Sequence, residues 1–164
     1  MNGAGPDFYG LFWTTTTLVF ALAACGNFGA YLSSESGSTW TYNFAKLSVA
    51  AFVLYGYMLL PILVWMFSKY ATKESMSLSK LACLYGYSLA PFIPAVLLCV
   101  IPSNFLRWLF ILGAYAVSAS FLMRNIRDSL NAGFDDSRRA FVTLTVLLVL
   151  HAGLTLFFNM YFFA

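Results

Sequence analysis

The sequence predicts an all-α polytopic membrane protein, a bundle of five transmembrane helices. Three observations carry that reading. Hydrophobic residues make up 61% of the 164-residue chain and charged residues 9%. Soluble domains carry roughly 25% charged residues, so a soluble chain of this size has no way to hide so much apolar surface. Five apolar runs, near 9–32, 47–68, 81–101, 105–123 and 140–163, are 19 to 24 residues long, and a helix needs about 20 residues to cross the hydrocarbon core. The lysines and arginines gather mainly between these runs. A short cytosolic segment, 1–8, thus precedes one five-helix domain, 9–164.

The first run begins at Tyr9 without a basic stretch before it. It is too long for a cleavable signal peptide and is expected to remain as a span. Its four threonines, Thr14 to Thr17, can bond back to carbonyls one turn earlier. Gly26 and Gly29, three apart, let another backbone come close. A polar loop from Ser33 to Thr39 follows, then Trp40 and Tyr42, residue types that favour the membrane interface.

The second and third spans share a motif. Tyr55-Gly56-Tyr57-Met58-Leu59-Leu60-Pro61 and Tyr85-Gly86-Tyr87-Ser88-Leu89-Ala90-Pro91 both read YGYxLxP, thirty residues apart. Successive spans run in opposite directions, so the repeat would be inverted, as in transporters that bind solutes at the midplane. A shared packing need explains the echo as well. The third span adds a second proline, Pro94. Each proline removes a backbone donor and disturbs the turn before it. In lipid such a break survives only where neighbouring groups satisfy the freed carbonyls, so this span is expected to be buried in the bundle.

Lys69, Lys73, Glu74 and Lys80 lie between the second and third spans, where Ser77 or Ser79 can cap the third helix. Pro102-Ser103-Asn104 makes a tight turn into the fourth. That helix is expected to project past the headgroups to about Leu130, with Gly133 as its stop. Arg124, Arg127, Asp128, Asp135, Asp136, Arg138 and Arg139 form the most charged stretch, and Asp135, Asp136 or Ser137 can cap the fifth helix. The 69–80 and 124–139 loops hold seven lysines and arginines against Lys46 and Arg107 on the other side. The excess places those two loops and the N-terminus in the cytosol and the C-terminus on the lumenal side.

Catalytic chemistry finds little footing. His151 is the charge-capable group deep in a span, with no acidic partner in any span; Asn27 and Asn159 are the accompanying amides. Such groups between helices first serve as interhelical bonds and second as a solute or proton path. HExxH, GxSxG, a P-loop and paired intramembrane aspartates are all missing from the sequence. Cys25, Cys83 and Cys99 show no CxxC spacing and read as buried filler, with palmitoylation of Cys83 the alternative. No metal site and no cofactor are expected. The net charge of +3 is too scattered for nucleic acid.

Three features resemble the Ypt-interacting protein (YIP or YIPF) family of early-secretory-pathway membrane proteins. Asp7, Tyr9, Gly10, Phe12 and Trp13 are similar to the family's opening motif, with Leu11 where members often carry proline. Tyr85, Gly86, Tyr87, Ser88, Pro91 and Pro94 are similar to its third-span signature. The five-span layout is the third feature. Members usually carry a long polar cytosolic region before the first span, so a shortened or minimal member is expected. The resemblance implies a non-enzymatic adaptor or scaffold in traffic between endoplasmic reticulum and Golgi. Rab-type small GTPases and other family members would be its partners, alongside membrane lipid. Lys69, Lys73, Glu74, Arg124, Arg127, Arg138 and Arg139 are the residues placed to meet a partner or lipid. The alternative function is a small solute or proton transporter built on the inverted echo, with Ser88, His151 and Asn159 as its polar residues.

Overall fold

A computed structural model describes residues 8–34, 40–71, 77–133 and 137–163. The helices are α1 (Tyr9–Ser33), α2 (Ala45–Tyr57), α3 (Leu60–Ala71), α4 (Leu78–Ser88), α5 (Phe92–Leu98), α6 (Asn104–Gly133) and α7 (Ser137–Phe157). A π turn, Phe158–Phe162, closes the last of them. No strand occurs among the described residues. Five stretches are long and apolar enough to cross a membrane: Tyr9–Ser33, Ala45–Met66, Leu78–Leu98, Asn104–Arg127 and Phe141–Phe162. The second and third are each built from two helices, α2 with α3 and α4 with α5.

Both divisions fall at the YGYxLxP segments. In the third span, Leu89 N–H turns to the Gly86 carbonyl at 3.2 Å and Ala90 N–H to Tyr87 at 3.1 Å. Phe92 N–H bonds Leu89, and Ile93 N–H bonds Ala90, both at 3.1 Å. These are three-residue bonds, the tighter winding that appears where a helix ends or breaks. In the second span, Leu59 N–H likewise bonds Gly56 at 3.1 Å, and α3 restarts at Leu60. Pro61 and Pro91 sit at the restart, where a missing N–H costs little. Pro94 corrects the expectation of two disturbed turns. It occupies the third position of α5, inside the first turn, whose N–H groups have no intrahelical partner anyway. One break serves both prolines.

The broken span is also the most enclosed. Half of the Leu78–Leu98 stretch is buried, against 22% to 44% of the other four. It is packed on by α1, α3 and α6. Leu81, Tyr85, Leu89 and Phe92 enter the main apolar cluster beside Leu18 and Leu22 of α1, Leu54 of α2 and Ile111 of α6. Phe92 meets Phe158 edge-on at 5.6 Å between ring centroids. Side chains such as Phe52 and Phe105 point outward, as a lipid-facing surface requires.

Close approaches fix the ends of the bundle. Gly86 lies against Leu11, and Gly29 faces Val100, so α1 runs parallel to α4–α5. Gly26 lies against Phe162, and Asn27 is bonded to Asn43. The end of α1, the start of α2, the 99–104 turn and the π turn therefore share one end. The starts of α1, α4 and α7 and the ends of α3 and α6 share the other.

Candidate functional site

The two segments that carry the family resemblance lie far apart in sequence and touch in the fold. Gly86 of α4 sits directly on the α1 backbone at Leu11, and a β-carbon there would stand 2.9 Å from the Leu11 nitrogen. Gly10 of α1 faces the Tyr87 ring, whose hydroxyl would be 2.6 Å from an added β-carbon. A β-carbon does not fit in either gap unless something shifts, so glycine at 86 lets the two helices meet backbone to backbone and glycine at 10 makes room for the Tyr87 ring. Around this contact Tyr9, Phe12 and Trp13 are exposed and form a small aromatic group, with Phe12 and Trp13 edge-on at 5.3 Å. Asp7 lies outside the described residues.

Below this contact, the break in the third span feeds a buried polar chain. Phe92 N–H has turned to Leu89, so the Ser88 carbonyl is left without its usual helical partner. Ser118 of α6 donates its hydroxyl to that carbonyl. The same Ser118 oxygen lies 2.7 Å from Nε2 of His151, and the Tyr57 hydroxyl lies 2.5 Å from Nδ1. Ser88, Ser118 and His151 have no exposed surface. The proton positions follow from counting donors. A hydroxyl has one hydrogen and Ser118 spends it on the carbonyl, so Nε2–H must donate to Ser118. Nδ1 is then the acceptor, and Tyr57 donates to it. The chain runs Tyr57 O–H to Nδ1, Nε2–H to Ser118, and Ser118 O–H to the Ser88 carbonyl. It joins α2, α7, α6 and α4.

The imidazole is also boxed by rings. Tyr115 stacks on it at 5.8 Å, and Tyr57 and Phe92 approach at 5.7 Å. A neutral histidine with both nitrogens satisfied suits this setting. The Ser118–His151 pair is no catalytic dyad. A nucleophilic serine must give its proton to histidine, whereas here histidine donates and serine spends its proton elsewhere. Nor does the chain form a through-going proton path, because it ends on a backbone carbonyl.

Ser88 itself back-bonds to the Tyr85 carbonyl at 2.7 Å. Tyr85 is buried against Tyr57, with ring centroids 5.8 Å apart. The echoed segments therefore bury different tyrosines: the first of the motif in the third span and the last of it in the second, while Tyr55 and Tyr87 are exposed. Asn159 is buried in the π turn, about two turns beyond His151. Sequence reading singled out His151 and Ser88 without the groups that join them. Tyr57 was visible within the echo, and Ser118 was visible as a hydroxyl in an apolar helix, the residue type that bonds across helices in lipid.

The basic residues are spread over one end. Lys69, near the end of α3, holds its ammonium 5.2 Å from the centroid of the Trp65 ring. Arg124 and Arg127 are exposed on the last turns of α6, and Arg138 is exposed at the start of α7. Lys73 and Glu74 lie outside the described residues, as does the side chain of Arg139. Ser77 caps α4, accepting from Lys80 N–H at 3.2 Å. Among the described residues no histidine, cysteine or acidic group of three or more gathers as a metal site would need.

Comparison with known proteins bears on the family. The family model described as Yip1 domain matches residues 1–157. The chain is 36% identical over 160 residues to "Protein YIPF1 homolog" of Dictyostelium discoideum, covering 97% of this chain and 45% of that protein. It is 32% identical over 135 residues to "Protein YIP5" of Schizosaccharomyces pombe (strain 972 / ATCC 24843), covering 74% of this chain and 52% of that protein. The chain thus spans about half the length of these curated relatives. No solved structure matches significantly. By the match across nearly its whole length, the chain belongs to the Yip1-domain (YIP/YIPF) family.

Proposed function

We propose that the chain is a non-enzymatic membrane adaptor that scaffolds trafficking components in the Golgi and endoplasmic reticulum. In this reading the α3–α4 and α6–α7 connections face the cytosol and meet Rab-type small GTPases and other members of the family. The observation that carries the proposal is a division of labour between interior and end. The groups around His151 satisfy one another in a chain that ends on a carbonyl, so neither the Ser118 hydroxyl nor the imidazole is set up as a nucleophile or its base. Exposed cations project from the ends of α3 and α6 and the start of α7, where they can steer an acidic partner surface or an anionic leaflet.

The test is charge reversal at Lys69, Lys73, Arg124, Arg127, Arg138 and Arg139 in both connections together. Crosslinked recovery of GTPases and family partners from native membranes should fall sharply while the protein still reaches its compartment. Unchanged recovery would remove the loop-contact reading. The transport alternative makes a separate demand: solute or proton flux in proteoliposomes that is lost in His151→Ala. The carbonyl terminus of the polar chain argues for no flux.

A further inference from the structure

At the end of the bundle opposite the basic connections, two cations converge on one cavity. Lys46, the second residue of α2, donates to the Gly26 carbonyl at 2.8 Å and the Phe162 carbonyl at 3.1 Å. Arg107, in the first turn of α6, directs Nε to the carbonyls of Cys99 and Ile101 at 3.1 and 3.2 Å. Its Nη1 reaches the Phe163 carbonyl at 2.5 Å. Between the two side chains lies a cavity of about 220 Å³, walled by Gly29, Ala30, Ser33 and the backbone end at Phe162. A single water needs only ~10–15 Å³, so the space has room for a polyatomic group. Nη2 of Arg107 borders the Gly29 wall, 3.7 Å from where a β-carbon would stand.

The charges do not balance within the described residues. The hydrogen bonds given above all go to backbone carbonyls, and a helix C-terminus offers only about −0.5 of a charge. Two helix ends supply those carbonyls, α5 and the π turn, so two full positive charges leave about one unit uncompensated among the described residues. Asp128, the acidic residue within a described helix, stands near the far end of α6. The depth of the cavity is marked by a line of rings at the same end of the bundle. Phe28 and Tyr31 stack at 6.3 Å, Tyr31 and Trp40 meet at 5.4 Å, and Trp40 and Tyr42 meet at 6.3 Å. Such aromatic belts sit at headgroup level.

We propose that this cavity binds a phosphate oxyanion at the membrane surface, held by the Arg107 guanidinium and the Lys46 ammonium. Arginine supplies directed donors and lysine a compact charge, the pairing that phosphate recognition uses. The phosphate arrives either on a lipid headgroup or as free inorganic phosphate.

The experiment uses the full chain purified into lipid nanodiscs. One arm compares phosphatidylcholine discs with discs containing phosphatidic acid, and native mass spectrometry reads the retained lipid. The other titrates inorganic phosphate into phosphatidylcholine discs at constant ionic strength and reads the thermal midpoint. Wild type should retain phosphatidic acid, gain thermal stability from phosphate, or do both. Retention alone assigns a lipid source, a phosphate response alone assigns a free anion, and competition between them assigns one shared site. Lys46→Met and Gly29→Leu should each weaken the response about tenfold or more, as loss of a charge-assisted contact does. Gly29→Leu fills the cavity and keeps both cations, so it reports on the site even if Lys46→Met fails to fold. Wild type that neither retains phosphatidic acid nor responds to phosphate overturns the proposal. A response unchanged in both variants overturns it as well.

Discussion

Ser118 is the residue on which the buried chain turns, because its single oxygen serves both His151 and the carbonyl freed at Ser88. Ser118→Ala removes one partner from each and leaves a buried N–H and a buried carbonyl unsatisfied. The expected loss is about 1–3 kcal/mol, with intramembrane values toward the low end because the unfolded chain in lipid also finds partners. Tyr57→Phe orphans only Nδ1 and should cost less. His151→Phe removes both ring nitrogens together, so Tyr57→Phe added to it should cost almost nothing further. A double-mutant cycle in detergent unfolding checks this. Additive losses would mean that Tyr57 and His151 do not share a bond in the folded protein.

At the level of elements, the contact between α1 and α4 depends on two glycines that differ in what surrounds them. An added methyl at Gly86 meets the Leu11 backbone, which cannot move without shifting α1; one at Gly10 meets the far end of the Tyr87 side chain, whose displacement shifts no backbone. Gly86→Ala should therefore destabilise by about 1–3 kcal/mol. Gly10→Ala should cost less, and Tyr87→Ala should rescue it but not Gly86→Ala. Unfolding midpoints of the four variants decide this. The prolines separate in the same way. Pro91→Ala restores a donor at the break and lets the α4–α5 helix heal, which draws the Ser88 carbonyl away from Ser118. Pro94→Ala lies in the first turn of α5 and should stay within about 0.5 kcal/mol of wild type. Much of this was legible in the sequence: five spans, a broken and enclosed third span, and a cap at Ser77 all follow from composition, prolines and turn residues. The meeting of Gly10 with Tyr87 and of Gly86 with Leu11 was not, because about seventy-five residues separate the partners and no local pattern encodes which helices become neighbours. The same limit hid the pairing of Lys46 with Arg107, which in sequence reads as two minority charges in separate loops.

For the molecule as a whole, the open quantity is its direction in the membrane, and the two ends of the bundle differ in the kind of positive charge they carry. At the end shared by the start of α1 and the end of α6, Arg124, Arg127 and Arg138 are exposed, and Lys69 lies over Trp65. At the other end, Lys46 and Arg107 are folded onto backbone carbonyls. Orientation responds to cations near the ends of spans, in short connections, and both basic connections are short. The expected outcome is that the α3–α4 and α6–α7 connections stay on the cytosolic side. Asn-X-Ser/Thr acceptor sites placed at 72–76 should remain unglycosylated in microsomes, whereas sites placed at 35–39 should be modified. The reverse pattern would turn the exposed cations to the lumen, out of reach of cytosolic GTPases, and bring the Lys46–Arg107 cavity to the cytosolic leaflet. The adaptor reading would then fall, while the phosphate site would survive on the other face. A topology assay thus separates the two proposals, because one needs a particular side of the membrane and the other needs only a headgroup-level surface.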